Sequence, residues 1–188
     1  MVDRPLKHLK SRQALHDWLR ENHATSAGIR LVSWRSRASG PVIDYEDVVL
    51  ECLMFGWIDG HVKKLDERRR TTLLTPRRSG GTWAATNKAR IERLRNEGLL
   101  EPAGERAVAR AMKDGSWTLL DDVEKRVIPD DLAQALTTAK ATDGFDSLSP
   151  SRQKQSLWWV KSARRPETRA RRIAAVVDAA SRGEWTAG

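Results

Sequence analysis

The residue types best suited to chemistry crowd into residues 56–78, "GWIDGHVKKLDERRRTTLLTPRR". An acid, Asp59, and an imidazole, His61, stand two positions apart there. Lys63, Lys64, Arg68, Arg69 and Arg70 follow around a charged turn, and Arg77 and Arg78 come after it. A guanidinium is a planar, permanently charged fork that matches carboxylate and phosphate and stacks on aromatic faces. Trp57 and Trp83 bracket the cluster, and Asn87 interrupts an apolar pattern in which a buried amide needs a partner. The chemistry these residues suit is capture of an anionic group. The expected ligand-binding set is Trp57, Asp59, Lys63, Arg77, Arg78, Trp83 and Asn87. Trp57 and Trp83 would give apolar contact, Arg77 and Arg78 would engage the anion, and Asp59 would orient a cation or hold an Arg. Two other uses of the segment are open. Asp59 and His61 form the acid–base pair of a small-molecule enzyme, or the indoles are core and the cations a solvated face.

A second basic cluster is "KSARRPETRARR", residues 161–172, where six cations meet only Glu167. Two helices about a tight turn, the second basic at its start, resemble helix-turn-helix geometry. Arg164, Arg165, Arg169 and Arg172 are therefore the candidate nucleic-acid contacts, attracting by charge. The turn holds Arg-Arg-Pro without a glycine, and Trp158 and Trp159 sit poorly for a first helix, which argues against sequence-specific reading. The chain has no phosphate loop, no dinucleotide glycine fingerprint, no nucleophile elbow and no H-E-x-x-H. His8, His16, His23 and His61 are scattered, so no metal, no cofactor and no catalytic residue is expected.

Helices and strands must position these groups. "SRQALHDWLREN" carries apolar residues at helical spacing with Ser11 as its cap, and "GIRLVSWR" alternates as a strand with Ile29 and Leu31 facing one way. Asp44 caps the next helix, whose stripe is Val48, Val49, Cys52 and Leu53, and Gly56 stands where a helix end favours positive φ. The hairpin follows, with Ile58 and Val62 on one face and Trp57, Asp59, His61 and Lys63 on the other, because strand side chains alternate. Its return strand is expected to pair with "GIRLVSWR" in a small antiparallel sheet. The remainder reads helical. Thr82 caps a helix with Trp83, Asn87, Ile91 and Leu94 on one face; others begin near Pro102, Pro129, Pro150 and Pro166. The last has Ala170, Ile173, Val177 and Ala180 as its stripe.

The chain has 188 residues, 39% of them hydrophobic, with eight Trp and a formal charge of +9. That suffices for one domain, and the charge favours anionic partners without choosing among them. The sole cysteine, Cys52, excludes an internal disulfide, and no apolar stretch reaches the ~20 residues a membrane span needs. A cytosolic location is the expectation. Residues 1–80 read as a mixed α/β part and 81–188 as a helical part of one compact unit, with the change near "RRSGG".

"YEDVVLECLMFGWIDG", "TPRR", Trp83 with Asn87 and Lys88, and "WWVKSARRPETRARRI" together resemble the YdeI/OmpD-associated, or bacteriocin-protection, protein family. The resemblance runs from about "LHDWL" to "AAVVDAA". It implies a cytosolic bacterial protein of α+β class, with a C-terminal helical part that is a module of its own. The family name links it to protection against antimicrobial peptides and to an outer-membrane porin; it brings no catalytic residues with it. The expectation is an α+β binding or stress-protection protein, not an enzyme. Its expected partner is an anionic small molecule or peptide, with nucleic acid as the alternative.

Overall fold

A computed structural model describes residues 4–186. Contacts group the chain through Thr118 into one unit and from Leu119 onward into a second. The change of composition near residue 80 thus falls inside the first unit, which keeps two of the helices that follow it.

The first unit is built on a four-stranded sheet of order β1-β2-β4-β3, from β1 (Leu6–Lys7), β2 (Ile29–Trp34), β3 (Trp57–Lys64) and β4 (Arg69–Pro76). The hairpin forms as expected, and β4 pairs antiparallel with β2, Ile29 opposite Leu74 and Trp34 opposite Arg69. β1 runs parallel to β2, so the sheet is mixed rather than purely antiparallel.

The hairpin departs from strict alternation at one place. Trp57, Ile58 and Asp59 face Pro76, Thr75 and Leu74, while Val62, Lys63 and Lys64 face Thr72, Thr71 and Arg70. Three steps on β3 match two on β4, so Gly60–His61 holds a β-bulge. One extra residue reverses the faces of everything beyond it. Trp57 and Asp59 share the face of Leu74, which is fully buried; Lys63 turns to the opposite face with Ile58.

Helices cover the Leu74 face. α1 (Arg12–Asn22) is capped by Ser11, whose hydroxyl accepts from the Ala14 amide at 3.1 Å. α2 (Tyr45–Met54) packs against the sheet, α1, α3 (Ala85–Asn96) and α4 (Pro102–Lys113). It is therefore buried on nearly every side, Val48 through Met54, and not only along the expected stripe. Asp44 stands at its N-cap, but its carboxylate accepts no cap bond from the helix amides and instead accepts from Arg37 at 2.5 Å. Gly56 ends the turn after α2 at φ +71°, a conformation that glycine adopts without steric cost. α3 begins at Ala85, so Thr82 does not cap it and Trp83 lies outside it. Leu15, Leu19, Ile29, Leu74, Trp57, Ile91 and Leu94 join in one core.

The second unit is helical: α5 (Asp121–Glu124), α6 (Asp130–Thr138), α7 (Thr142–Asp146), α8 (Pro150–Lys161) and α9 (Pro166–Ser181). Ser149 caps α8, with Pro150 at its first position. Leu132, Leu136, Phe145, Leu157, Val160 and Val176 form its core. On α9 Val176, Ala179 and Ala180 are buried and Ile173 and Val177 pack against the core, so of the expected stripe only Ala170 is exposed. α7 meets α9 at Gly144, where a Cβ would come within 2.0 Å of the Ala180 carbonyl oxygen. Among the described residues no helix is long and apolar enough to cross a membrane.

Candidate functional site

The bulge divides the residues expected to share one ligand. Trp57 is 1% exposed; its indole N–H donates to the His23 carbonyl at 3.2 Å, and its ring meets Trp18 edge-on at 5.7 Å. Trp83 is buried against Trp117, ring centroids 5.0 Å apart. Both indoles belong to the core.

Arg77 joins Trp83. Its guanidinium carbon lies 3.7 Å from the ring centroid, and Nη1 donates to the Thr82 carbonyl at 3.3 Å. Arg77 is 8% exposed, and among the described residues Nε and Nη2 have no hydrogen-bond partner. Burial lowers its pKa to about 10, against smaller opposing effects from Cys52 and Asp59. The indole face offsets part of the cost of desolvating the cation. Nearby Cys52 is buried and its thiol is pushed far up by that burial, so it is a small core group and not a reactive thiolate.

Asp59 and Asn87 take up a third position. Tyr45 donates its hydroxyl to Asp59 at 3.0 Å. Asn87 Oδ1 accepts from Arg90, whose fork also grips Glu46 at 2.6 and 2.9 Å. The Arg90 guanidinium holds the Glu46 carboxyl below the usual carboxylate range. This network joins α2 to α3. Asp59 shares the helix-covered side of the sheet with Leu74 and His61 lines a recess on the other, so the two do not form a facing pair.

Lys63 and Arg78 remain, and the structure brings them together on the opposite sheet face. They line a recess of about 520 Å³ with Arg4, Arg30, His61, Ile58, Leu73, Thr75, Pro76 and Gly81. All ten come from strands or from the segments flanking them. Five of these side chains are basic and none is acidic. Arg30 donates to the Thr71 hydroxyl at 3.4 Å, and among the described residues none of the five is paired with a carboxylate. Several guanidiniums elsewhere in this unit are matched by acids: Arg12 by Asp47 and Glu51, Arg69 by Asp66, Arg95 by Glu92 and Glu105.

A recess of about 490 Å³ between α1, α2 and the end of α3 shows the contrast. Glu51, 2% exposed, accepts from Arg12 at 2.7 Å and lies 2.9 Å from His16 Nδ1. Arg12 bridges Asp47 and Glu51 there, so the cluster acts as a clamp between α1 and α2.

Arg30 was signalled by the inward alternation of Ile29 and Leu31, which sends it outward. Arg4 lies beyond any element the periodicity marks, and Leu73 and Thr75 read only as members of the return strand.

The C-terminal cations divide as well. Arg169 holds Asp131 through two bonds of 2.7 and 2.8 Å and donates to the Val160 carbonyl at 3.3 Å. Arg172 donates to the Trp159 carbonyl at 2.5 Å and lies over the Trp159 ring at 5.3 Å. These carbonyls end α8, where the last turn lacks helical partners. Arg164 and Arg165 are exposed. Among the described residues no group of His, Cys, Asp and Glu is arranged to hold a metal ion.

Comparison with known proteins agrees with this division. Residues 125–183 match the family model described as Bacteriocin-protection, YdeI or OmpD-Associated, which includes the long C-terminal motif. Residues 7–107 match a different model, Domain of unknown function (DUF8412), and that span includes "YEDVVLECLMFGWIDG". No curated protein and no solved structure matches the chain. The chain thus belongs to the DUF8412 family through its sheet-bearing unit and carries in its helical unit the YdeI/OmpD-associated segment.

Proposed function

We propose that the protein binds an anionic molecule in the recess on the sheet face opposite Leu74. One observation carries the reading: five basic side chains converge there and, among the described residues, none is paired with a carboxylate, whereas Arg12, Arg69 and Arg95 of the same unit are each matched by acids. Uncompensated charge over a low-dielectric floor raises the local concentration of anions and speeds their capture. Lys63 and Arg78 keep the anion-facing role, joined by Arg30, Arg4 and His61. Trp57, Trp83, Arg77, Asp59 and Asn87 support the sheet from its covered side.

On this reading the protein is a binding protein and works in the cytosol, where the lone Cys52 stays reduced. The bacteriocin-protection wording of the family matched by residues 125–183 supports a protective role for that binding.

The test is a calorimetric and thermal-shift screen of anions against the wild type and a Lys63→Ala/Arg78→Ala double variant. Loss of charge-assisted hydrogen bonds predicts about tenfold weaker binding or more. The melting temperature without ligand should hold, since both side chains are exposed. Equal affinity in the double variant, or no anion that raises the wild-type melting temperature, refutes the proposal.

A further inference from the structure

The recess carries more than charge. Its floor is made of Ile58 and Leu73, half-buried aliphatic groups on the side of the sheet away from the core, with half-buried Pro76 lining it at the strand end. A solvated sheet face ordinarily presents polar residues to water. Gly60, at the bulge, keeps that floor bare: a Cβ there would lie 3.7 Å from both Cβ and Cδ2 of Leu73. That is ordinary contact, and the Gly60 backbone is not in the left-handed region, so a side chain would fit and would cover Leu73. A volume of about 520 Å³ is that of a small-molecule site.

We infer that the ligand is an amphipathic anion, a phosphomonoester or carboxylate whose apolar body lies on Ile58, Leu73 and Pro76 while its head meets Lys63, Arg30 or Arg78. This rests on the anion-binding reading above and narrows it. A single-stranded nucleic acid fits less well, because such strands are held by large aromatic side chains stacked on bases, and no Trp, Tyr or Phe lines this recess. A bare inorganic anion would leave the aliphatic floor wet. The apolar body removes that surface from water, while the head satisfies the unpaired cations.

A phosphomonoester head occurs both on soluble molecules and on lipids, so the experiment separates them. The full chain is titrated calorimetrically with inorganic phosphate, with hexyl phosphate, and with vesicles containing phosphatidic acid. Each fully buried methylene adds roughly fourfold in affinity, so hexyl phosphate is expected to bind at least about tenfold more tightly than phosphate. Its heat capacity change should be more negative. Leu73→Thr and Gly60→Val, two variants on different strands, should each remove most of that gain and leave phosphate affinity within about twofold. Gly60→Val tests the floor even if Leu73→Thr perturbs the fold. Equal affinity for the two phosphates overturns the inference and leaves anion binding standing. A gain that survives both substitutions also overturns it, by moving the apolar contact elsewhere. Vesicle binding without saturable hexyl phosphate binding overturns it by placing that contact in a bilayer. Binding of neither phosphate overturns both readings.

Discussion

Two arginine-rich stretches of similar composition are put to different uses. In the helical unit, Arg169 and Arg172 close the end of α8 and tie α9 to α6 and α8. Their charge is consumed by carbonyls, Asp131 and the Trp159 ring. On the sheet, Arg30, Lys63 and Arg78 are left without acidic partners among the described residues. Basic composition therefore does not mark a binding surface. The marker is charge the fold does not neutralise, because a cation already matched has little attraction left for a ligand.

The largest expected effect breaks the helical side of this comparison. Gly144→Ala would drive a methyl into the Ala180 carbonyl at 2.0 Å, so α7 and α9 must separate or unfold. Overpacking of this kind costs about 1–3 kcal/mol, with the upper end expected where backbone must move. Urea unfolding followed by far-ultraviolet circular dichroism should show it, and a wild-type midpoint would contradict the packing.

A smaller effect is expected from Arg169→Ala, about 1–2 kcal/mol, since it strips a partly exposed carboxylate and a helix-end carbonyl of their donor. The Arg169 guanidinium holds the Asp131 carboxyl below its ordinary value. An acid with a depressed folded pKa contributes stability above its unfolded pKa, about 3.9, and loses it as pH falls through the folded value. Wild type should therefore lose stability more steeply than Arg169→Ala below about pH 4. Parallel acid melts would show that the pair contributes nothing. The same change should leave anion affinity at the sheet untouched.

The smallest effect is expected at Arg77, the guanidinium that serves neither use. It is buried with two nitrogens unpartnered, and replacing a poorly satisfied buried charge with an apolar group of similar length is often neutral or stabilising. Arg77→Met should change stability by less than about 1 kcal/mol and leave anion binding intact. A large loss would show that the contact with Trp83 outweighs the desolvation cost.

Much of the fold was legible in the sequence. The hairpin, its pairing with β2, the Ser11 and Ser149 caps and the helix starts at Pro102, Pro150 and Pro166 follow from local rules, and local rules acted there. The site was legible only in part. Alternation alone put Trp57, Asp59, His61 and Lys63 on one face, but the bulge at Gly60–His61 depends on the register against β4 and moved Lys63 to the other. A glycine inside a strand was the available signal. Arg77 was unreadable because arginine is rarely buried, and its neighbour Trp83 entered the core from a loop rather than from a helix face. Arg169 and Arg172 looked available because their partners lie outside their own element: Asp131 is 38 positions from Arg169.

The most direct measurement is a titration of the isotopically labelled full chain with hexyl phosphate, followed by amide chemical shifts. Shifts should concentrate at Arg30, Ile58, Lys63, Leu73 and Arg78, saturate, and vanish in Lys63→Ala/Arg78→Ala. Shifts centred instead on Arg164, Arg165 and Arg171, or none on the sheet, would contradict the assignment of the anion site to the sheet face opposite Leu74.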